Sequence, residues 1–170
     1  LVNPESISFK AAVPLGVDPL PARELGERKA RNYAILENWA SFGKVTGMCF
    51  FGPAPRSFIA VDEIVQLVRA VTGWDVALDD LLRIGERATN LARAFNVLHG
   101  FSRTDDTLPP RLFEPLPCGP MEGVAISKPD FERTMGTLYE LKGWDPATAR
   151  PTRDRLRGLE IEWVADLLEA

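Results

Sequence analysis

Histidine occurs once in this 170-residue chain and cysteine twice. So sparse a ligand set excludes a His-rich metal centre, a disulfide framework, and a structural zinc site, which takes about four Cys or His ligands. Lys and Arg are nowhere concentrated, and the net charge is −4 with a pI near 5.1. The electrostatic footprint of a nucleic-acid binder is therefore missing. No apolar run approaches the ~20 residues of a membrane span. The opening "LVNPESISFKAAVP" lacks the basic start and apolar core of a signal peptide. A cytoplasmic setting is the default, with neither nucleic acid nor membrane as a partner. The chain starts at Leu1 and not at Met, which reads as a piece of a longer polypeptide.

What is present suits one globular core of ordinary size: 45% apolar and 26% charged residues. Residues 1–21, with Pro4, Pro14, Pro19 and Pro21, read as an extended lead-in. Helical periodicity predicts segments at about 22–45, 60–71, 78–98, 130–141, 152–159 and 162–169. The clearest is 78–98, where Leu81, Ile84, Ala88, Leu91, Ala92, Phe95 and Leu98 form the expected buried stripe. Arg83, Arg87, Asn90 and Arg93 mostly lie away from it. In 22–45 the stripe is Leu25, Ala30, Tyr33, Leu36, Trp39 and Ala40. In 60–71 it is Ile64, Val65, Val68 and Val71, with Gly73 suited to the turn that follows. Residues 101–128, rich in proline, have no sustained period, and so long a loop usually belongs to a site or wraps a neighbouring domain. No strand-period segment stands out. The expected fold is all-α: a multi-helix domain with a lead-in at 1–21, a helical core at 22–128 holding the Cys49 turn and the long loop, and C-terminal helices of the same domain at 129–170.

Gly-Trp-Asp occurs twice between helices, at 73–75 and 143–145. The expected roles are a glycine that ends one helix, a tryptophan packed over the corner, and a nearby Asp or Thr that caps the next helix. His99 ends the 78–98 segment, where its ring suits the last carbonyls of the helix. The pair Asp105–Asp106 suits acid–base chemistry, cation binding, or a polar turn partnered by Arg103 and Arg111. Cys118 needs no role in its Pro-rich loop. Cys49, in "GMCFFG", has four open readings: a buried thiol, half of a disulfide with Cys118, a nucleophile paired with His99, or one ligand of a metal centre. Gly47 allows positive φ, backbone N–H groups around such a turn can donate to sulfur, and Phe50 and Phe51 would exclude water. These properties suit a cluster ligand and a buried thiol equally.

The stretch "IGERATNLARAFNVLHGFSRTDDTLPPRLFEPLP" resembles the C-terminal region of the tungsten-dependent aldehyde ferredoxin oxidoreductases. There, a helix GER-x-x-N-L-x-R-x-F-N runs into G-F-x-R-x-D-D-x-L-P-x-R. The matching positions are Gly85, Glu86, Arg87, Asn90, Leu91, Arg93, Phe95 and Asn96, then Gly100, Phe101, Arg103, Asp105, Asp106, Leu108, Pro109 and Arg111. "VTGWD" upstream and "LYELKGWDPATARPTRDRLRGLE" downstream are similar to further elements of the family. A D-x-x-G-L-C motif appears here as Lys44 to Cys49, with Gly47 and Cys49 retained and Met48 in place of Leu.

The resemblance implies the C-terminal domain of an oxidoreductase that turns aldehydes into carboxylic acids. In that family a bis-molybdopterin tungsten (or molybdenum) cofactor works beside a 4Fe–4S cluster, which passes electrons to ferredoxin or another carrier subunit. Three cluster cysteines come from an upstream C-x-x-C-x-x-x-C run, absent here, and the fourth from the position of Cys49. The implied site is Gly47, Met48 and Cys49, with Cys49 as the one metal ligand and no catalytic residue in this chain. The implied partners are an N-terminal β domain and a middle helical domain of the same enzyme, the electron carrier and an aldehyde; a homodimer is compatible. Alone, the chain is expected to be inactive and without cofactor. Lys44 departs from the family acid that accepts hydrogen bonds from the pterin. Lysine can only donate, so that contact is not carried over. A related reductase of aromatic acyl-thioesters and a cofactor-free helical interaction module are the rival readings.

Overall fold

A folded-back carboxylate starts the longest helix of the computed structural model, which describes residues 12–21, 23–49 and 59–169. Asp80 accepts from the N–H of Ala77 at 2.8 Å, satisfying a donor that the helix leaves orphaned. Glu63 does the same for Ala60 at 2.7 Å. Among the described residues the helices are α1 Glu27–Val45, α2 Val61–Thr72, α3 Leu78–Leu98, α4 Lys128–Lys142, α5 Arg153–Gly158 and α6 Trp163–Glu169. None of the described residues forms a strand, and Trp144 with Pro151 is an isolated bridge. The fold is all-α, as expected. None of these helices is long and apolar enough to cross a membrane.

α3 matches its predicted bounds. α1 starts later than the periodicity suggests, because Gly26 takes φ 114 and ψ −165, outside the helical region. Its N–H instead donates to Thr134 Oγ1 of α4 at 2.7 Å. The lead-in is strapped down where it is described. It carries a 3₁₀ turn at Val13–Leu15, and Ala12, Leu15, Val17 and Leu20 are buried. Asn32 of α1 holds it from both sides, accepting from Asp18 N–H at 3.0 Å and donating to Asp18 C=O at 2.7 Å.

α3 is the spine that joins two cores. Its N-terminal half sends Leu81 into a cluster with Leu15 and Val17 of the lead-in, Trp39 and Phe42 of α1, and Val61 and Ile64 of α2. Its C-terminal half sends Ala94 into a cluster with Leu156, Leu159, Ile161, Val164, Ala165 and Leu168 around α5 and α6. Burying each large aliphatic or aromatic side chain contributes about 1.5–3 kcal/mol. Gly85 lets α1 and α3 meet: a Cβ there would lie 1.8 Å from the carbonyl oxygen of Asn38.

Three expected stripes are corrected. On α3, Leu91, Phe95 and Leu98 face solvent, while Asn90 and Arg93 are buried. The face of α3 turned to the chain's C-terminal part meets polar turns, so it carries polar groups. On α1 Tyr33 is exposed, and on α2 Val71 is exposed, each beyond the reach of the core below. The two Gly-Trp-Asp corners also diverge. Gly73 and Gly143 both end helices in the left-handed region, yet Trp74 is exposed and Trp144 buried. Nothing among the described residues packs over the first corner, whereas α3 lies beneath the second. The long loop holds two short 3₁₀ turns, Arg103–Asp105 and Pro110–Phe113. It stops sooner than predicted because Pro129 sits at the start of α4, with Ser127 as its cap.

Candidate functional site

α1 ends in a Schellman turn. Met48 N–H donates to Gly43 C=O at 3.0 Å and Gly47 N–H to Lys44 C=O at 3.2 Å, with Gly47 at φ 72. Thr46 Oγ1 adds a bond to Phe42 C=O at 2.9 Å. Met48 packs back against the first core, and Cys49 comes next as an exposed, free thiol. The N–H groups of Gly47 and Met48 are thus occupied within the turn, which corrects the expectation that they donate to sulfur. What the turn supplies is direction. It anchors Met48 inward and turns the chain at Cys49 out to solvent. Phe50 and Phe51 lie outside the described residues.

α3 ends the same way. Gly100 has φ 88, and its N–H donates to Val97 C=O at 3.0 Å, while Phe101 N–H donates to Asn96 C=O at 3.0 Å. The two helices run parallel: Gly85 meets Asn38, Thr89 Oγ1 donates to Ser41 Oγ at 3.2 Å, and Asn96 shares a groove with Val45. Both Schellman turns therefore lie at one pole of the molecule. His99 bonds the Phe95 carbonyl through Nδ1 at 2.8 Å and stacks on the Phe95 ring, centroids 4.1 Å apart. This is the helix-end role expected of it.

Beside Lys44, a groove of about 450 Å³ runs between α1, α3 and α4. Lys142 is buried and pairs with Glu37, while its ammonium lies 5.0 Å from the centroid of Trp144. Arg93 grips Asp106 with two nitrogens, at 2.9 and 2.8 Å, and Tyr139 O–H donates to the same carboxylate at 2.6 Å. Burial, together with the hydrogen bond and charge of Asp106, pushes the Tyr139 phenol above its ordinary value. Lys44 is exposed and without an ion-pair partner among the described residues.

The family-like positions resolve mainly into a structural clamp. Arg93 Nε also donates to Ala149 C=O at 2.8 Å. Arg87 Nε donates to Leu159 C=O at 2.6 Å, and its guanidinium pairs with Glu160. Ala149 and Glu160 are the described non-glycine residues at positive φ, 57 and 61. The two arginines of α3 therefore brace the two strained turns of the C-terminal part. Glu86 pairs with Arg155, and Arg103 donates to Pro146 C=O at 2.6 Å. Asp105 caps Ser102 N–H at 2.8 Å. Asp105 and Asp106 thus act apart, one as a turn former and one inside the clamp. Sequence reasoning missed the pairing of Asp106 with Arg93. Its one visible signal was the presence of both in the same matched stretch.

The donor set tests the implied cluster directly. A 4Fe–4S cluster takes about four thiolates. Cys49 and Cys118 are both exposed and free, and no group of three or more His, Cys, Asp or Glu among the described residues is placed to hold a metal. The residues fit a chain that lends one outward thiol to a cluster completed elsewhere. They do not fit a chain that holds a cluster by itself.

The sequence model of the family described as aldehyde ferredoxin oxidoreductase, domains 2 and 3, matches residues 2–161. The tungsten-containing aldehyde ferredoxin oxidoreductase of Pyrococcus horikoshii is 28% identical over 165 residues, covering 95% of this chain and 25% of that protein. The enzyme of the same name from Pyrococcus furiosus is 30% identical over 147 residues, 85% of this chain and 22% of the relative. Over 90 residues, 49% of this chain and 14% of the relative, the chain is 33% identical to the aliphatic sulfonate oxidoreductase, WOR-like subunit, of Pyrococcus furiosus. The chain thus spans about a quarter of the length of the curated relatives it matches most fully. With the family's domains matched along nearly its whole length and the expected helical fold in place, the chain belongs to the aldehyde ferredoxin oxidoreductase family.

Proposed function

We propose that this chain is the C-terminal helical domain of an enzyme that oxidises aldehydes to carboxylic acids, and that Cys49 is the last ligand of its 4Fe–4S cluster. The match of residues 2–161 to the family's domains 2 and 3 carries this reading. When bound in the whole enzyme, the tungsten (or molybdenum) pterin supplies the two-electron oxidation of an aldehyde and water, and the cluster relays the electrons to ferredoxin or another carrier subunit.

The chain's own residues contribute positioning. The Cys49 thiolate reaches outward because the turn before it is fixed by Gly47 in the left-handed region and by Met48 against the core. Gly47 and Met48 act on the cluster through this placement of Cys49. Residues 111–127 of the long loop wall one side of a cavity of about 690 Å³. In this reading the loop shapes part of the substrate channel, whose apolar lining favours the organic part of an aldehyde. Lys44 can donate but not accept, so any ligand group that meets it is an acceptor. A member of the family acting on another substrate is the second reading, favoured by Lys44 and by the 90-residue match to a sulfonate oxidoreductase subunit.

The test is the iron content of the full-length enzyme purified without oxygen. Cys49→Ala is expected to lower cluster occupancy and Cys49→Ser to retain more of it. A full and stable cluster in Cys49→Ala would sink the ligand assignment.

A further inference from the structure

The pole where α1 and α3 end carries large apolar side chains in solvent. Val45 is 58% exposed, Phe95 60%, Leu98 51% and Phe101 54%, and Leu91 extends the same face one turn back. Leu91, Phe95 and Leu98 stand at i, i+4 and i+7, so they form one stripe along α3. Isolated exposed hydrophobics are ordinary, whereas a contiguous stripe marks an interaction surface. The chain's own described elements occupy the other sides of α3. α1 takes the side of Gly85 and Thr89, and the C-terminal part takes the side of Asn90, Arg93 and Ala94.

We infer that this stripe, with Val45 and Phe101, is the surface on which the cluster-bearing remainder of the same enzyme docks. The inference rests on the ligand reading of Cys49. That ligand needs about three further thiolates within bonding reach, and the described residues cannot supply them. The body that brings them must sit on the pole where Cys49 emerges, and that pole is the apolar one. The chain covers 25% of the Pyrococcus horikoshii relative, so a relative of that size has ample chain to cover the stripe. Phe95, Leu98 and Phe101 are then its anchors, as aromatic and aliphatic side chains are at the buried centres of interfaces.

Oxidative footprinting of the full-length enzyme, read residue by residue by mass spectrometry, tests this. Phe95 and Phe101 are expected to label several-fold more slowly than in the denatured protein, with the protection unchanged on dilution. Protection that disappears on dilution would assign the stripe to a second copy of the chain and overturn the inference. If Phe95 and Phe101 label freely in fully iron-loaded enzyme, the docking surface falls and the ligand reading stands. If they stay protected while Cys49→Ala leaves iron unchanged, the ligand reading falls and the docking surface stands.

Discussion

The indole N–H of Trp144 donates to the side-chain oxygen of Asn90 at 2.8 Å, across 54 residues of sequence. Asn90 in turn donates to Glu86 C=O at 3.0 Å. Both side chains are buried, so the bond replaces solvent for two polar groups that have no other access to it. It locks the second Gly-Trp-Asp corner onto the spine helix. Asn90→Leu is expected to cost about 1–3 kcal/mol, the penalty of leaving the buried indole N–H unpaired. Urea unfolding followed by circular dichroism measures it, and Trp144→Phe in the Asn90→Leu background should recover part of the loss.

Two glycines on helices should respond in opposite directions to alanine. At Gly85 the new methyl would meet Asn38 and Phe42 backbone at 1.8–2.9 Å, and backbone cannot step aside as a flexible side chain can. Gly85→Ala is expected to destabilise at or beyond the top of the roughly 1–3 kcal/mol range of overpacking. At Gly136, inside α4, nothing lies within 4 Å of the added atom. Gly136→Ala should stabilise by about 0.5–1 kcal/mol through helix propensity alone. Thermal melts of the pair decide it; equal effects would be inconsistent with the close α1–α3 approach.

Arg93 should not tolerate lysine. Its three contacts, to both oxygens of Asp106 and to Ala149 C=O, use the fork of the guanidinium, and the group lies 5.1 Å over the Trp144 ring. An ammonium cannot reproduce that geometry. Arg93→Lys is expected to cost about 2 kcal/mol and Arg93→Met about 3 kcal/mol or more, since the latter strands Asp106. A double-mutant cycle with Asp106→Asn should show coupling above about 0.5 kcal/mol.

Alkaline pH should reveal the Tyr139–Asp106 bond. Tyr139 ionises above its ordinary value of 10.0, through burial and then Asp106, and Tyr33 is also raised, by burial and Glu37. The folded state therefore holds these protons more tightly than the unfolded one. The resulting stability is complete below pH 10 and declines as pH rises from there toward the folded pKa. Ultraviolet difference titration should show both tyrosines of the chain ionising late. In Tyr139→Phe the decline in urea midpoint above about pH 10 should be shallower.

Much of the local architecture was legible because short-range chemistry writes it. The bounds of α3, the αL glycines at 73 and 143, the carbonyl contact of His99 and the all-α class all follow from caps, periodicity and φ preferences within a few residues. The outward thiol was half legible. Gly47 signalled a turn, but that its N–H bonds back to Lys44 could be settled only by the folded chain.

Periodicity on α3 located a helix and misjudged its inside. The sequence by itself determined where helices begin and end, and that Cys49 follows a left-handed turn, because those features depend on neighbours. Only the tertiary structure decided that Asn90 and Arg93 are buried while Phe95 is not, and that Trp144 is covered while Trp74 is bare. The physical reason is that a buried polar group is stable only when its partners arrive. Here they arrive from Asp106, Trp144 and Ala149, far along the chain and invisible to any local pattern.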